Sequence, residues 1–443
     1  MKAIPSYIIN LKKREDRKNH ALLEFSSRQE FEVNIVDACE HQDGAYGLWM
    51  TLSRIIGMQK NKDDNFILIC EDDHCFTGEY STEKLRNAIE HADALGADLL
   101  CGGVSWLSNG VMISSEILWV ERFSGLQFTI VFRRFFEAIL NTAFKKGEAA
   151  DTKLSFLTSK KYCIFPFVSI QKYFGYSDVT DWNNRDGRVE QLFANSLKKA
   201  GAIKYVTDHY NRIKQTGGQL QTITPNTEIL PVIVFEKPSD AITTGRLPFH
   251  RDSGFNIMSV IPAGSSERSK LTNLQEVIKK VTLQGGDMII LWQNDHFLQQ
   301  NCSISRLKNK LTSAQELGAE ILCGSLDDFD LAVPINNNLL WISSFKEAGL
   351  LVIYKNLFDK INNLAIEGNS TMESLLSRST VNKISVHPFI VSSAKKQYLK
   401  AEVYLTEFSK YRDPDSRIEL AKQAHYLGES IPHRAKTPLT HKL

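Results

Sequence analysis

Three consecutive carboxylates, Glu71, Asp72 and Asp73, close the apolar run Phe66–Cys70, and His74 follows them. Adjacent carboxylates repel, so the arrangement costs stability unless a cation or hydrogen-bond donors offset it. Oxygen ligands of this kind suit Mg²⁺ or Mn²⁺. A divalent ion at such a place bridges a diphosphate and stabilises it as a leaving group. Taken alone, three acidic residues equally describe a solvated turn. The surroundings add chemistry. The segment "YIINLKKREDR" places Asn10, Arg14 and Arg17 just after a first short strand, where basic groups could meet a nucleotide. The segment "DGAYGLWMTLSRI" supplies Gly44 and Gly47 in a turn that enters a helix. Asp151 and the stretch "FPFVSIQKYFGYSD" follow further along.

The acidic stretch has a counterpart in the same chain. A shift of 222 residues carries "FILICEDDH" onto "MIILWQNDH" and His74 onto His296. The same shift brings "ALGADLLCGG" onto "ELGAEILCGS", Trp119 onto Trp341, and Pro166 onto Pro388. So long a common register implies two homologous domains in tandem. We place them at 1–220 and 225–395, joined by the polar, Gly- and Pro-containing "KQTGGQLQTITPNTEIL". His74 persists in the second copy while the carboxylates thin out, which assigns it to packing rather than to a ligand set.

The elements that position these residues can be read from the spacing. "SYIINL" and "NFILIC" are short apolar strands, and "ADLLCGG" is a third. "LWMTLSRIIGMQK" has helical spacing of Leu48, Leu52, Ile55 and Ile56. "STEKLRNAIEHADALG" opens on a Ser81 cap and stops at Gly96. Alternating strands and helices predict an α/β fold with a mainly parallel sheet. In such sheets ligands bind beyond the carboxyl ends of the strands, where Glu71–Asp73 fall.

Composition narrows the class. The chain has 443 residues, 42% hydrophobic and 23% charged, with a formal net charge of +2. Two globular domains fit this length, and no basic tract interleaved with aromatics suggests nucleic acid. The seven cysteines lie mostly within apolar runs. Cys70, Cys75 and His74 raise the idea of zinc, but the tight CxxC pairs of structural zinc sites are absent. With no signal-peptide core and no run of membrane-span length, the expected location is cytoplasmic.

The ordered set of motifs resembles glycosyltransferase family 25, the lipooligosaccharide and collagen-type galactosyltransferases with a GT-A-like fold. The matching residues are Asn10, Leu11, Arg14 and Arg17; Gly44 and Gly47; Glu71, Asp72 and Asp73; Asp151; and Pro166, Gln171, Ser177 and Asp178. The resemblance covers most of 4–180. It departs from the family at Thr51–Leu52, where a Ser-His pair is usual, and at Ala149, where the proline of P-x-D is usual. The family's tyrosine-serine helix falls on "FTIVFRRFFEAIL". The resemblance implies tandem GT-A-like, Rossmann-like domains and transfer of a sugar from a nucleotide donor, a UDP-hexose, to a glycan, lipooligosaccharide or protein hydroxyl. Asp73 and Glu71 would ligate Mn²⁺ or Mg²⁺. Asn10, Arg14, Arg17, Gly44, Gly47, Glu71, Asp72 and Gln171 would meet the donor. If transfer inverts the anomeric centre, Asp151 or Asp178 takes the acceptor proton; either is alternatively a helix cap or turn aspartate.

In the second copy Gln293, Asn294 and Asp295 stand where Glu71, Asp72 and Asp73 stand in the first. Two carboxylates have become amides of like size, so shape is kept and charge is lost. This domain reads as a degenerate transferase that scaffolds, binds acceptor or self-associates. Leu399, Val403, Tyr404, Phe408 and Tyr411 have helical spacing in the basic tail 396–443. Ser416 with Glu419 forms a capping-box pattern there. The tail is expected to pack on the body or on another chain, making a homo-oligomer, or alternatively to lie peripherally on the inner face of a membrane.

Overall fold

The structure is a computed structural model, and it describes residues 2–176, 185–215, 229–236, 254–299, 302–336 and 338–393. The chain divides into two compact units, the first running to Lys204 and the second from Tyr205. Ser177, Asp178 and the tail 396–443 lie outside the described residues.

The first unit begins with β1 (Ile4–Asn10), α1 (Glu15–Phe25), β2 (Phe31–Asp37), α2 (Gly44–Gln59), β3 (Phe66–Glu71), β4 (His74–Phe76) and α3 (Thr82–Ala94). Then come β5 (Leu99–Cys101), β6 (Trp106–Leu107), β7 (Gly110–Met112), β8 (Ile117–Val120), β9 (Phe123–Ser124), β10 (Phe128–Phe132) and α4 (Phe136–Leu140). It closes with α5 (Ala150–Leu157), β11 (Lys161–Ile164) and β12 (Ser169–Gln171), and α6 (Arg188–Gln215) then runs past the Lys204 boundary. Eight strands form one sheet in the order β2-β1-β3-β10-β5-β11-β8-β7.

The second unit repeats this with β13 (Leu230–Phe235), β14 (Phe255–Ile261), α7 (Glu267–Leu283), β15 (Met288–Gln293), β16 (His296–Leu298), α8 (Ile304–Glu316) and β17 (Ile321–Ser325). β18 (Ala332–Pro334), β19 (Leu339–Ile342), β20 (Leu350–Tyr354), α9 (Phe358–Asn362), α10 (Met372–Ser379), β21 (Lys383–Val386) and β22 (Val391–Ser393) complete it. Its sheet order, β14-β13-β15-β20-β17-β21-β19-β18, matches the first strand for strand.

The tandem α/β architecture is therefore present, but each sheet is mixed rather than mainly parallel. β1 pairs in parallel with β2 and β3, and β5 with β11. β10 runs antiparallel between β3 and β5. The segment expected to hold the tyrosine-serine helix is this strand. All five residues of Phe-Thr-Ile-Val-Phe are buried, and a β-branched, aromatic run enclosed on both faces favours a central strand. Helix α4 begins only at Phe136.

Two further elements, α1 and β2, separate the first strand from α2. Helix α1 buries only Arg17, Ala21 and Phe25, and β2 is a half-buried strand at the sheet edge. Their apolar signal is correspondingly faint. Helix caps follow the expected rules. The Ser81 hydroxyl accepts from the Lys84 N–H, and Ser303, 222 positions on, does the same for Arg306. The core gathers around the central strands, with Ile8, Leu68, Leu100 and Ile130 all fully buried. Each such side chain contributes about 1.5–3 kcal/mol.

Individual side-chain-to-backbone hydrogen bonds are duplicated as well. The Trp119 indole donates to the Ser159 carbonyl and the Trp341 indole to that of Val381, both at 2.7 Å. Ser155 accepts from the Phe123 N–H, and Ser377 from that of Phe345. Buried Lys161 donates to the Thr158 carbonyl at 2.5 Å, and Lys383 donates to that of Thr380.

Candidate active site

β1 and β3 run parallel with Ile9 opposite Glu71, so both strands end at one level. A cavity of about 570 Å³ opens there. Glu71, Asp72, Asp73, Asp151 and Gln171 line it, together with Gly44 at the start of α2. Lys13, Arg17 and Lys172 add positive charge to the same lining.

The carboxylates do not wait bare for a cation. Arg17, 8% exposed, projects from α1 and bridges two of them. Its Nη2 lies 2.6 Å from Asp72 Oδ1 and 2.7 Å from Asp73 Oδ2. Asn10 donates its amide to Asp72 Oδ2 at 2.8 Å and to the Arg14 carbonyl at 3.0 Å. Asp72 is thus an internal brace. Asp73 keeps one buried oxygen, Oδ1, with no hydrogen-bond partner.

Burial pushes Glu71 well above the usual carboxylate range, and the charges of Asp73 and Asp151 push it the same way. Burial also lifts Asp73, to about 6, against the pull of Arg17. Asp151 Oδ2 accepts the Gly125 N–H at 2.8 Å, and Oδ1 accepts the Thr152 N–H at 2.6 Å. Gly125 needs its lack of a side chain, since φ there is +102°.

The other expected residues take different places. Gly47 is not in the lining; a Cβ there would meet the Cys39 carbonyl oxygen at 2.4 Å, so glycine lets α2 press against that loop. Thr51 completes the same joint, accepting the Cys39 N–H at 2.7 Å and donating to the Gly47 carbonyl. Thr51 and Leu52, the departures from the family pattern, therefore both face the interior. Arg14 stacks over the Tyr176 ring at 3.8 Å. His74 is fully buried, with Nδ1 on the Ser169 hydroxyl at 2.8 Å and Phe76 and Phe128 packed around its ring. Burial holds it well below the usual imidazole range, and this is a packing role.

Lys13, Lys172, Tyr173 and Tyr176 line the cavity without having been singled out. Lys13 lies inside the basic tract already noted and Lys172 directly follows Gln171, so proximity to a motif was the one available signal.

Glu71, Asp73 and Asp151 do not close into a three-ligand group. Among the described residues the group at metal-ligand spacing is His20, Glu24 and Cys75. In the second unit a cavity of about 390 Å³ occupies the matching strand ends, lined by Gln293, His296 and Glu373. There His296 Nδ1 lies 2.7 Å from Asp295. Glu373 accepts the Ala348 N–H at 2.8 Å, as Asp151 does for Gly125.

No protein-family model matches the chain, and no curated protein matches it either. Among solved structures it is similar to the glycosyltransferase GlyE of Streptococcus pneumoniae TIGR4, at TM-score 0.28 and 9% identity, covering 72% of this chain and 100% of that one. It is also similar to an apo UDP-glucose pyrophosphorylase, at TM-score 0.27 and 12% identity, covering 44% and 82%. A third similar structure is A197 from STIV, at TM-score 0.27 and 18% identity, covering 39% and 86%. At such TM-scores these likenesses carry no argument about the chain's activity. Among the described residues no helix is long and apolar enough to cross a membrane.

Proposed function

We propose that the first unit transfers a hexose from a nucleotide-sugar donor, a UDP-hexose, to a hydroxyl of a glycan, lipooligosaccharide or protein acceptor, with inversion. One observation carries this reading. Carboxylates that are buried or half-buried and three basic side chains share one cavity at the carboxyl ends of β1 and β3, where open α/β sheets bind nucleotides.

Mn²⁺ or Mg²⁺ fits this chain in one mode. Such ions are commonly held by one or two protein carboxylates plus substrate phosphates. The partnerless Asp73 Oδ1, with Glu71 beside it, offers that set. When bound, the ion neutralises charge on the departing diphosphate. The chain's own residues do the remaining work. Arg17 fixes Asp73 by holding Oδ2, which leaves the buried, partnerless Oδ1 as the atom that would ligate the ion. Lys13 and Lys172 bring positive charge to the donor's phosphates. The acceptor oxygen bonds to the anomeric carbon, the bond from that carbon to the diphosphate breaks, and the nucleoside diphosphate leaves. Asp151 receives the acceptor proton, and Asp178 is the alternative base. In the second unit we propose acceptor binding or scaffolding, because Gln293 and Asn294 lack the charge to hold a divalent ion.

A rival reading, an inactive pair of domains that organises other glycan-assembly proteins, is favoured by the Arg17 bridge, whose single positive charge is shared between Asp72 and Asp73 and already offsets one of the two carboxylates. Thermal stability of the full chain with Mn²⁺ and a panel of nucleotides separates the two. The transferase reading expects stabilisation by UDP, about 2.7 kcal/mol at a hundredfold Kd, lost in Asp73→Asn. It also expects slow hydrolysis of one UDP-sugar. No response to any nucleotide would sink it.

A further inference from the structure

One turn beyond Arg17, helix α1 carries His20 and Glu24, four residues apart and so on one face. That face meets Cys75 on β4. The donor atoms of the three side chains all lie within 4.8 Å of one another, and all three residues are half-buried. His20 Nε2 is 3.4 Å from Cys75 Sγ and 3.0 Å from the His74 carbonyl oxygen. Glu24 Oε2 accepts the Phe76 N–H at 3.0 Å. An imidazole, a thiol and a carboxylate at this spacing form a borderline-soft set that suits Zn²⁺. We infer that His20, Glu24 and Cys75 form a zinc site, with three protein ligands and a fourth position open to water.

These are not the partners that sequence adjacency suggests. His74 adjoins Cys75 but is sealed in the core on Ser169, and Cys70 donates its thiol to the Gln127 carbonyl. The second unit supplies an internal control. Phe297 stands where Cys75 stands, and β16 pairs with β22 all the same. The strand therefore needs no thiol for its own formation. On binding, Cys75 loses its thiol proton to solvent, and His20 gives up the Nε2–H bond to the His74 carbonyl, exchanges to the tautomer with its proton on Nδ1 and ligates through Nε2. Glu24 can ligate and still accept from Phe76, because a carboxylate has two oxygens. The ion would tie α1 to β4 one turn from the Arg17–Asp73 pair.

The test uses the full chain after treatment with a chelator. Zn²⁺ uptake after dialysis is measured by elemental analysis, and Co²⁺ is added separately as a spectroscopic stand-in. The expected result is a stoichiometric equivalent of zinc and a thiolate-to-cobalt charge-transfer band in the near ultraviolet. The band disappears in Cys75→Ser. Affinity falls by more than about tenfold in His20→Asn and Glu24→Gln, at least the loss seen when only an outer-shell partner is removed. Both signals persist in Cys39→Ser, which removes the other half-buried thiol. They also persist in Asp73→Asn, so failure here and failure of the transferase reading are distinguishable. Absence of the band in the native chain overturns the inference, as does its survival in Cys75→Ser. If Cys75→Ser does not fold, the native chain's band and Glu24→Gln decide.

Discussion

Asp151 combines two tasks that substitution can separate. Its carboxylate holds the Gly125 N–H in place, and it faces the cavity as the proposed base. Asparagine keeps one carbonyl oxygen to accept from Gly125, leaves the exposed Thr152 N–H to water, and cannot take a proton. Asp151→Asn is expected to melt within a degree or two of the native chain while turnover drops by about 10²–10⁴, the share a positioned base contributes. Asp151→Ala leaves a backbone donor unpaired and should in addition cost about 1–3 kcal/mol, read from urea unfolding. Equal turnover in Asp151→Asn and the native chain would move the base role to Asp178. At this scale the carboxylates were legible from their spacing, and the packing role of His74 was legible from its persistence in the repeat. The bridge from Arg17 was not, because a pair 56 residues apart leaves no local pattern.

Elements were legible where burial is one-sided and periodic. α2 and α3 have such patterns, and β3 is legible as an unbroken buried apolar run, whereas α1 is mostly polar and β2 lies at an edge. Helix α6 escaped notice although Val189, Phe193, Ala200, Ile203 and Tyr210 are buried at helical spacing along it; the polar residues between them dilute the pattern over 28 residues. The joint between α2 and the Cys39 loop depends on Gly47. Gly47→Ala forces a methyl group into a backbone carbonyl and is expected to cost about 1–3 kcal/mol, with a lowered urea midpoint.

The strand β11 carries the buried Lys161, whose ammonium reaches back to the carbonyl of Thr158, the C-cap of α5. Burial lowers its pKa to about 7, only partly opposed by the charge of Glu121. The unfolded chain therefore binds this proton more readily than the native one between about pH 7 and the usual lysine value near 10.4. Stability attributable to this group rises with pH across that window. Lys161→Met should flatten the dependence, so the stability difference between native chain and variant shifts toward the native chain as pH is raised from 7 to 10. An unchanged difference would mean that Lys161 stays charged in its site.

At the scale of the molecule, the duplicated strand order was implied by the repeat, while the antiparallel β10 was hidden because fully buried strands read alike in either direction. The duplication also permits a comparison. Asp295, which Asp73 matches, is engaged with His296, which lines the second unit's cavity beside Gln293 in place of Glu71. Asp295→Asn retains an acceptor for His296, and steady-state turnover should stay within twofold or so of native. A loss of turnover without unfolding would give the second unit a part in the chemistry.

The Arg17 bridge bears on how such a site can be lost over generations. A buried guanidinium stripped of its carboxylates costs about 3–5 kcal/mol, enough to threaten a marginally stable fold. A lineage could not discard Asp72 and Asp73 while keeping Arg17, nor shed Arg17 first. Viable descent runs through compensated steps, and the acidic centre decays as a linkage group rather than residue by residue. Arg17→Met alone should therefore be more damaging to stability than Arg17→Met combined with Asp72→Asn and Asp73→Asn, as measured by a mutant cycle in urea. Additive effects would open the single-step route and show these charges to be evolutionarily independent.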